Sequence, residues 1–312
     1  MPIKTVLVLT ILALFLPFQT AFAQSPSPTP PGFTVSPAIL KLDLDSDAPQ
    51  AAISYTNDTS TPVTVTFKAQ DFQSLDDGWQ VKFLQPKDSQ NYSFSLSSWL
   101  KFEQDQIEVN PGETQSVKVD INKAELSSGS HYAAIIGQIQ QENGNGKVNV
   151  IAALSTLLFV RSANGNDIED GSIDSFDPVR SLLEFPDRFV LRFRNSGNVD
   201  LTPYGLIQIY DPFNHQVAKA IINDASFITL PESIRRYDIN VIDQNEGHFM
   251  WPGRYSATIM THFGKSNKYL NSETYFWSLG SLSLGEFLGL IALLLVVILG
   301  AGKLVKLKRA DD

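Results

Sequence analysis

Residues 51–69 read AAISYTNDTSTPVTVTFKA, and this stretch decides the fold class. Two runs of alternating residues, Ala51–Thr56 and Val63–Ala69, lie on either side of the polar segment Asn57–Pro62. An alternation with a period of two places every second side chain on one face, which is typical of a half-buried strand. The polar segment between the runs favours a turn, so the sequence predicts a strand, a turn and a second strand.

The same pattern recurs along the chain. Short β-branched or aromatic runs bounded by turn residues continue as far as Val148–Val160, and a second series lies within Phe189–Trp277. No long helical period interrupts either series. The sequence therefore predicts an all-β chain with two immunoglobulin-like β-sandwich domains in tandem, at residues 33–163 and 168–279. The polar and aromatic stretch at 71–98 is predicted to be an insertion in the first sandwich.

Both halves of the chain share a plan. Asn57 directly follows a predicted strand in the first half, and Asn195 does so in the second. Each half also has a proline-containing corner and a later strand with a tyrosine, Tyr132 and Tyr255 respectively. Asparagine is suited to turns and tyrosine anchors strands near a corner, so these positions indicate two copies of one topology.

The N-terminal residues have the composition of an export signal. An apolar run, Thr5–Phe18, precedes the small residues Ala21 and Ala23, which suit the pockets of a signal peptidase. We predict a signal peptide at residues 1–23 that is cleaved after Ala23, with an uncleaved N-terminal anchor as the alternative. The Pro/Ser-rich segment 24–32, QSPSPTPPG, is predicted to be an extended linker.

An apolar stretch near the C-terminus predicts a membrane span. Residues 283–305 are long enough for a transmembrane helix, with a buried core helix as the alternative, and a short basic tail follows at 306–312. The predicted stop-transfer cations are Lys303, Lys306, Lys308 and Arg309. Because positive charge marks the cytoplasmic side, the sequence predicts a single-pass type I plasma-membrane protein with its ectodomain outside. The membrane is therefore a predicted partner.

Composition narrows the classes of function. The chain has no cysteine, so exported domains would depend on their cores and not on disulfides. Its 24 basic and 33 acidic residues give a net charge of −9, which argues against nucleic acid as a partner. We find no nucleophile-elbow, phosphate-loop or dinucleotide motif, and the histidines lack the spacing of a zinc site. The sequence predicts a protein that is not an enzyme, with no catalytic residue, cofactor or metal.

Three tryptophans are candidates for ligand stacking. Trp79, Trp99 and Trp251 lie outside the clearest strand patterns. Aromatic rings stack on sugar rings, although in sandwiches they more often pack in the core. Both alternatives stay open from the sequence.

Four segments of the first half, in their order, show a resemblance to a known family. They read FTVSPAILKLDLD, SYTNDTSTPVTVTFKA, IEVNPGETQSVKVDI and SGSHYAAIIGQI. This order resembles the first domain of the WxL-protein-interacting cell-surface proteins of Gram-positive bacteria. Ile136 and Gly137 match a glycine-containing strand of that family, while Gln138 replaces its second glycine. The resemblance implies two Ig-like domains and one span, with a first domain that binds peptidoglycan and a second that binds a partner.

Two hypotheses on function follow. The first is a non-catalytic cell-surface binding or adhesion protein that holds cell-wall polymer or another surface protein, such as a WxL-type protein, through its ectodomain. The alternative is an accessory or spacer subunit of a membrane-bound or secretion complex. Under the first hypothesis an exposed sheet edge is a candidate contact, because an unpaired strand offers its backbone groups to a partner. Under the alternative the Ig-like domains are spacers and the transmembrane helix makes the contact.

Overall fold

A computed structural model describes residues 32–78, 80–143, 147–162, 166–180, 183–243, 249–265 and 268–310. The predicted signal peptide with Ala21 and Ala23, and Trp79, lie outside the described residues. The strands of the first half are β1 Phe33–Ser36, β2 Ile39–Asp43, β3 Gln50–Asn57, β4 Val63–Leu75, β5 Gln80–Phe83, β6 Leu100–Phe102, β7 Gln106–Val109, β8 Thr114–Ile121, β9 Gly129–Asn143 and β10 Lys147–Ser162. Those of the second half are β11 Gly171–Val179, β12 Arg188–Asn195, β13 Tyr204–Tyr210, β14 Gln216–Ile222, β15 Ser233–Asp243, β16 Gly253–Phe263 and β17 Lys268–Ser278.

The first half forms a β-sandwich. One sheet has the order β1-β3-β8-β6, and the other has the order β2-β10-β9-β4-β5, with β7 paired to the first residues of β4. The inward residues of both sheets, among them Ile53, Val65, Val119 and Ile135, are buried in one apolar core. The alternation seen in the sequence therefore places every second side chain of these strands between two sheets.

The second half forms another sandwich from one continuous path of strands. The order is β11-β12-β15-β14-β13-β16-β17. β15 turns the corner between the two layers, because Ser233–Asn240 pair with β12 while Val241–Asp243 pair with β14. The core contains Phe193, Ile209 and Tyr255, all fully buried. The prediction of an all-β chain with two β-sandwich domains is confirmed.

Asn57 and Asn195 make the same bonds in the two sandwiches. The Asn57 amide donates to the carbonyls of Thr61 (2.8 Å) and Val109 (3.0 Å), and its Oδ1 accepts the backbone N–H of Thr59 (3.0 Å). Asn195 likewise bonds the carbonyl four residues ahead, a carbonyl of another segment and the N–H two residues ahead. Neither asparagine has a positive φ, so each fixes its turn through its side chain.

Replacement of Asn57 by alanine should lower the free energy of unfolding by about 2 kcal/mol, because several buried backbone groups would lose their partner. Urea unfolding followed by circular dichroism measures the loss. Asn110 is the control, since its amide bonds only the exposed Glu113 carboxylate and its loss should cost under about 0.5 kcal/mol. Equal losses for the two variants would contradict the role assigned to Asn57.

The described chain also has two α-helices, a single turn at Pro86–Ser89 and a C-terminal helix at Leu284–Ala310, and short 3-10 turns at Asp76–Gly78, Ser97–Trp99 and Lys123–Glu125. The predicted stop-transfer residues Lys303, Lys306, Lys308 and Arg309 lie in the last part of the C-terminal helix. Within the residues that the structure describes, we find no helix with the length and apolar character needed to span a bilayer. On that finding the predicted span at 283–305, the type I orientation and the plasma-membrane localisation are corrected.

Candidate functional site: the domain junction and an open strand edge

The predicted insertion at 71–98 is anchored by one buried carboxylate. Asp71 of β4 is fully buried and accepts backbone N–H groups from Leu96 (2.8 Å) and Ser97 (2.8 Å). It also accepts the hydroxyls of Ser95 (2.7 Å) and Ser97 (2.6 Å). Burial alone raises the pKa of Asp71, but these hydrogen bonds outweigh it and hold the pKa below its ordinary value. The carboxylate therefore ties the returning end of the insertion to β4.

The tip of the insertion rests on the second sandwich. Asp77, in a turn after β4, pairs with Arg192 of β12 through two guanidinium nitrogens at 3.0 and 3.1 Å. Gly78 has a φ of +74°, and a Cβ there would lie 2.9 Å from Cγ of Arg235. Glycine is needed at this position because the backbone turns left-handed and lies directly against a side chain of the other domain.

An apolar cluster fills the junction beneath that tip. The first domain supplies Phe72, Phe94, Tyr132 and Phe159, and the second supplies Ile228 and Leu230. The rings of Phe72 and Tyr132 lie 5.0 Å apart, and the Tyr132 hydroxyl bonds that of Tyr92. Because the cluster takes side chains from both sandwiches, its burial stabilises their relative orientation.

A second junction contact lies at the start of β9. The Ser130 N–H donates to the carbonyl of Asn198 (2.9 Å), and the Ser130 hydroxyl donates to the Asp200 carboxylate. A Cβ at Gly129, where φ is +119°, would lie 2.5 Å from that same Asn198 carbonyl oxygen. The strand and the turn after β12 are thus held in backbone contact.

Charged side chains close the other side of the junction. Arg161, at the end of β10, pairs with Asp167 (2.7 Å) and Glu169 (3.0 Å) of the interdomain segment. Burial alone would lower the pKa of Arg161, but the two carboxylates together outweigh it and hold the pKa above its ordinary value. Lys265 of the second domain pairs with Asp43 of β2 at 2.6 Å. The junction therefore combines an apolar centre with ion pairs at its rim.

One strand of the first sandwich has an open edge. β10 pairs with β9 along its length, whereas β2 covers only Leu157–Arg161 on the other side. The Leu157 N–H faces that side, since it donates to the Ala38 carbonyl (2.9 Å). Backbone groups alternate along a strand, so the N–H and C=O of Ala153 and Ser155 face the same side. Across the described residues, nothing pairs with them there.

The side chains beside this edge also suit a covering strand. Ala152 and Leu154 point toward the core but are only half-buried. Val150 and Ile151 are 57 % and 47 % exposed, and the register shifts between Val150 and Ala152. An added strand at this edge would bury the half-covered core residues and satisfy the outward backbone groups.

Two of the three tryptophans predicted for stacking, Trp99 and Trp251, lie within the described residues and belong to different domains. Trp99 is half-buried and packs against the core of the first sandwich. Trp251 is 55 % exposed in the second domain, beside Phe213 and Phe249. We find no group of three histidine, cysteine or acidic side chains within the described ranges that could bind a metal ion. The junction residues have no common motif in the sequence, although the compositional break at 71–98 coincides with one of their segments.

The chain matches no family model and no curated protein. Among solved structures it is similar to a chaperone–tip adhesin complex of CFA/I fimbriae, with 8 % identity over 76 % of this chain and 97 % of that one (TM-score 0.40). It is also similar to the CupB2 chaperone of Pseudomonas aeruginosa, with 11 % identity over 79 % of this chain and 100 % of that one (TM-score 0.36). A third is the CsuC–CsuE chaperone–tip subunit complex of Acinetobacter baumannii, with 13 % identity over 66 % and 89 % (TM-score 0.35).

These findings correct the predicted family and its function. No family model matches, and the similar structures are fimbrial chaperones, so the assignment to the WxL-protein-interacting cell-surface proteins was wrong. The predicted function, adhesion at the cell surface, is also wrong. So are the predicted partners, which were peptidoglycan, WxL-type proteins and the membrane. The motifs behind the assignment include turn residues such as Asn57, whose bonds hold the sandwich and specify no function.

Proposed function

We propose that this chain is a non-catalytic accessory subunit of a secretion or assembly complex, and that it holds an extended segment of another polypeptide. The observation that supports the proposal is the open edge of β10 at Ala153 and Ser155, in a strand that continues to the domain junction at Phe159. An extended peptide can add to such an edge, with its backbone bonds supplying affinity and alternate side chains supplying specificity.

The remaining features of the sequence fit an exported subunit. We propose that residues 1–23 are a signal peptide cleaved after Ala23, that 24–32 are a linker, and that both sandwiches, at 33–163 and 168–279, have an immunoglobulin-like topology. The lack of catalytic motifs fits a protein that acts by binding alone. Such a subunit uses the second sandwich as a rigid support for the first.

Photo-crosslinking in the native host tests strand addition at β10. A photoreactive residue at Ser155 should give one major product with a protein of the complex, whereas the same group at Lys118, exposed in the middle of the other sheet, should not. Replacing Ala153 by proline removes an outward N–H and should reduce the Ser155 product at least about tenfold.

The matched control is Ala153→Ser, which keeps the backbone N–H and should retain the product. Circular dichroism should show that both variants are folded, since proline is tolerated on an edge strand where its missing N–H faces outward. An undiminished Ser155 product in a folded Ala153→Pro variant would rule out pairing at this edge. The same product from Lys118 would also do so.

A further inference from the structure

A cavity of about 320 Å³ lies between the two sandwiches. One wall is the outer face of the first sandwich, with Ile39, Leu157 and Phe159, and the other is a segment of the second domain with Phe227 and Ile228. Its floor is the buried junction cluster described above. The volume is within the range of small-ligand sites, and such sites are common at domain interfaces.

The charged residues that line this cavity are all cationic. Lys41 and Arg235 contribute to its lining, and none of its lining residues is acidic. This differs from the chain as a whole, which has a net charge of −9. A site with apolar walls and only cationic groups is complementary to an anion that carries an apolar chain.

Arg235 differs from the paired arginines of the junction. Arg161 and Arg192 each pair with carboxylates, whereas Arg235 has no acidic partner among the side chains that the structure describes. One of its nitrogens donates to the Ile228 carbonyl (2.9 Å), and its guanidinium lies 4.7 Å from the centre of the Phe227 ring. Burial lowers the pKa of Arg235, in keeping with a guanidinium that is partly removed from water and has no carboxylate beside it among the described side chains.

We propose that this cavity binds an amphipathic carboxylate, with its apolar chain against Ile39, Leu157 and Phe227 and its carboxylate on Arg235. A planar guanidinium bonds a carboxylate through two parallel N–H groups, and such a bond is strengthened where water is partly excluded. Lys41, exposed at the mouth, adds attraction for the incoming anion. This site is separate from the open edge of β10, so the two proposals are tested independently.

Isothermal titration of the purified chain with decanoate tests the site. Decanoate should bind with one-to-one stoichiometry, and decanol or decylamine, with the same chain length, should bind at least about tenfold more weakly. Arg235→Gln should weaken decanoate binding by about tenfold or more. Arg254→Gln should leave it unchanged, because Arg254 lies over the Tyr275 ring outside the cavity.

A second variant distinguishes a loss of decanoate binding from a loss of folding. Ile39 is 53 % exposed, so Ile39→Glu should fold normally while placing a negative charge in the wall and reducing decanoate affinity about tenfold. Val150→Glu, at an equally exposed position outside the cavity, is its control. Equal binding of decanoate and decylamine, unchanged affinity in Ile39→Glu, or no decanoate binding at concentrations on the order of 1 mM would overturn the proposal.

Discussion

Replacing Asp71 by alanine is expected to lower the free energy of unfolding by about 4 kcal/mol. The carboxylate is fully buried and bonds two backbone N–H groups and two hydroxyls of the returning insertion. Alanine would leave all of these donors without a partner, and removal of a charged partner costs more than removal of a neutral one. Urea unfolding monitored by circular dichroism gives the loss.

The control for this variant is Asp88, an exposed acid in the same insertion. Asp88→Ala should change the free energy of unfolding by under about 0.5 kcal/mol. If Asp71→Ala lowered the free energy of unfolding no more than Asp88→Ala, the insertion would not depend on this carboxylate.

The same carboxylate should make stability depend on acid. Since its hydrogen bonds hold the pKa of Asp71 below the ordinary value of 3.8, the folded state favours the ionised form. The stability that the ionised Asp71 carboxylate provides is complete above its pKa in the unfolded chain. It is lost as the pH falls through the lower pKa of the folded state. Asp71→Asn should therefore be less stable than wild type at pH 6, with the difference narrowing below about pH 4. A constant difference across this range would contradict the assignment.

Phe72→Ala is expected to cost about 3 to 4 kcal/mol and to weaken the coupling between the domains. Phe72 is 1 % exposed, and its ring contacts Tyr132 and lies near Phe159 in the cluster that joins the sandwiches. Alanine would leave a cavity within the cluster that joins the sandwiches and should therefore weaken the contact between them. Calorimetry should show one unfolding transition for the wild-type chain and two for the variant.

Phe83 is the matched control for Phe72. It lies opposite Phe72 in the β4–β5 pair but is 40 % exposed. Phe83→Ala should cost about 1 kcal/mol and leave a single transition. Two transitions in the wild-type chain, or one in Phe72→Ala, would show that this cluster does not couple the domains.

Alternation predicted the fold class because buried strands repeat with a period of two. It missed β11 and β14, and the reasons are local. β11 is an edge strand that contains Pro178, a residue that usually argues against a strand but is tolerated at an edge. β14, with the sequence QVAKAII, contains alanine and lysine, which are weak strand formers. Pairing with β13 and β15 determines its conformation.

The sequence showed an asparagine after a strand in each half of the chain, but it did not show which bonds these side chains make. Asn57 and Asn195 were expected to set turns, and they do so through side-chain bonds to segments that lie far away in the chain, such as Val109 and Thr229. The same turn and corner residues suggested a specific family. Since these residues hold turns of the sandwich in place, they indicate a fold more directly than a function.

The junction could not be predicted because its contacts join distant positions. Asp77 and Arg192 are 115 residues apart, and each alone is an ordinary surface charge. Only the folded chain shows that residues 71–98 dock one sandwich on the other, and that β2 leaves part of β10 uncovered. Both features depend on where strands end in space, and one sequence does not contain that information directly.

We expect the two sandwiches to move as one rigid body, because a buried cluster joins them, and a distance between them tests this most directly. The chain has no cysteine, so spin labels at Lys118→Cys and Asn271→Cys, both exposed, would label one site in each domain. Pulsed electron paramagnetic resonance should give one narrow distance distribution, which broadens when Phe72→Ala is added. A broad or multiple distribution in the otherwise unchanged chain would contradict the claim.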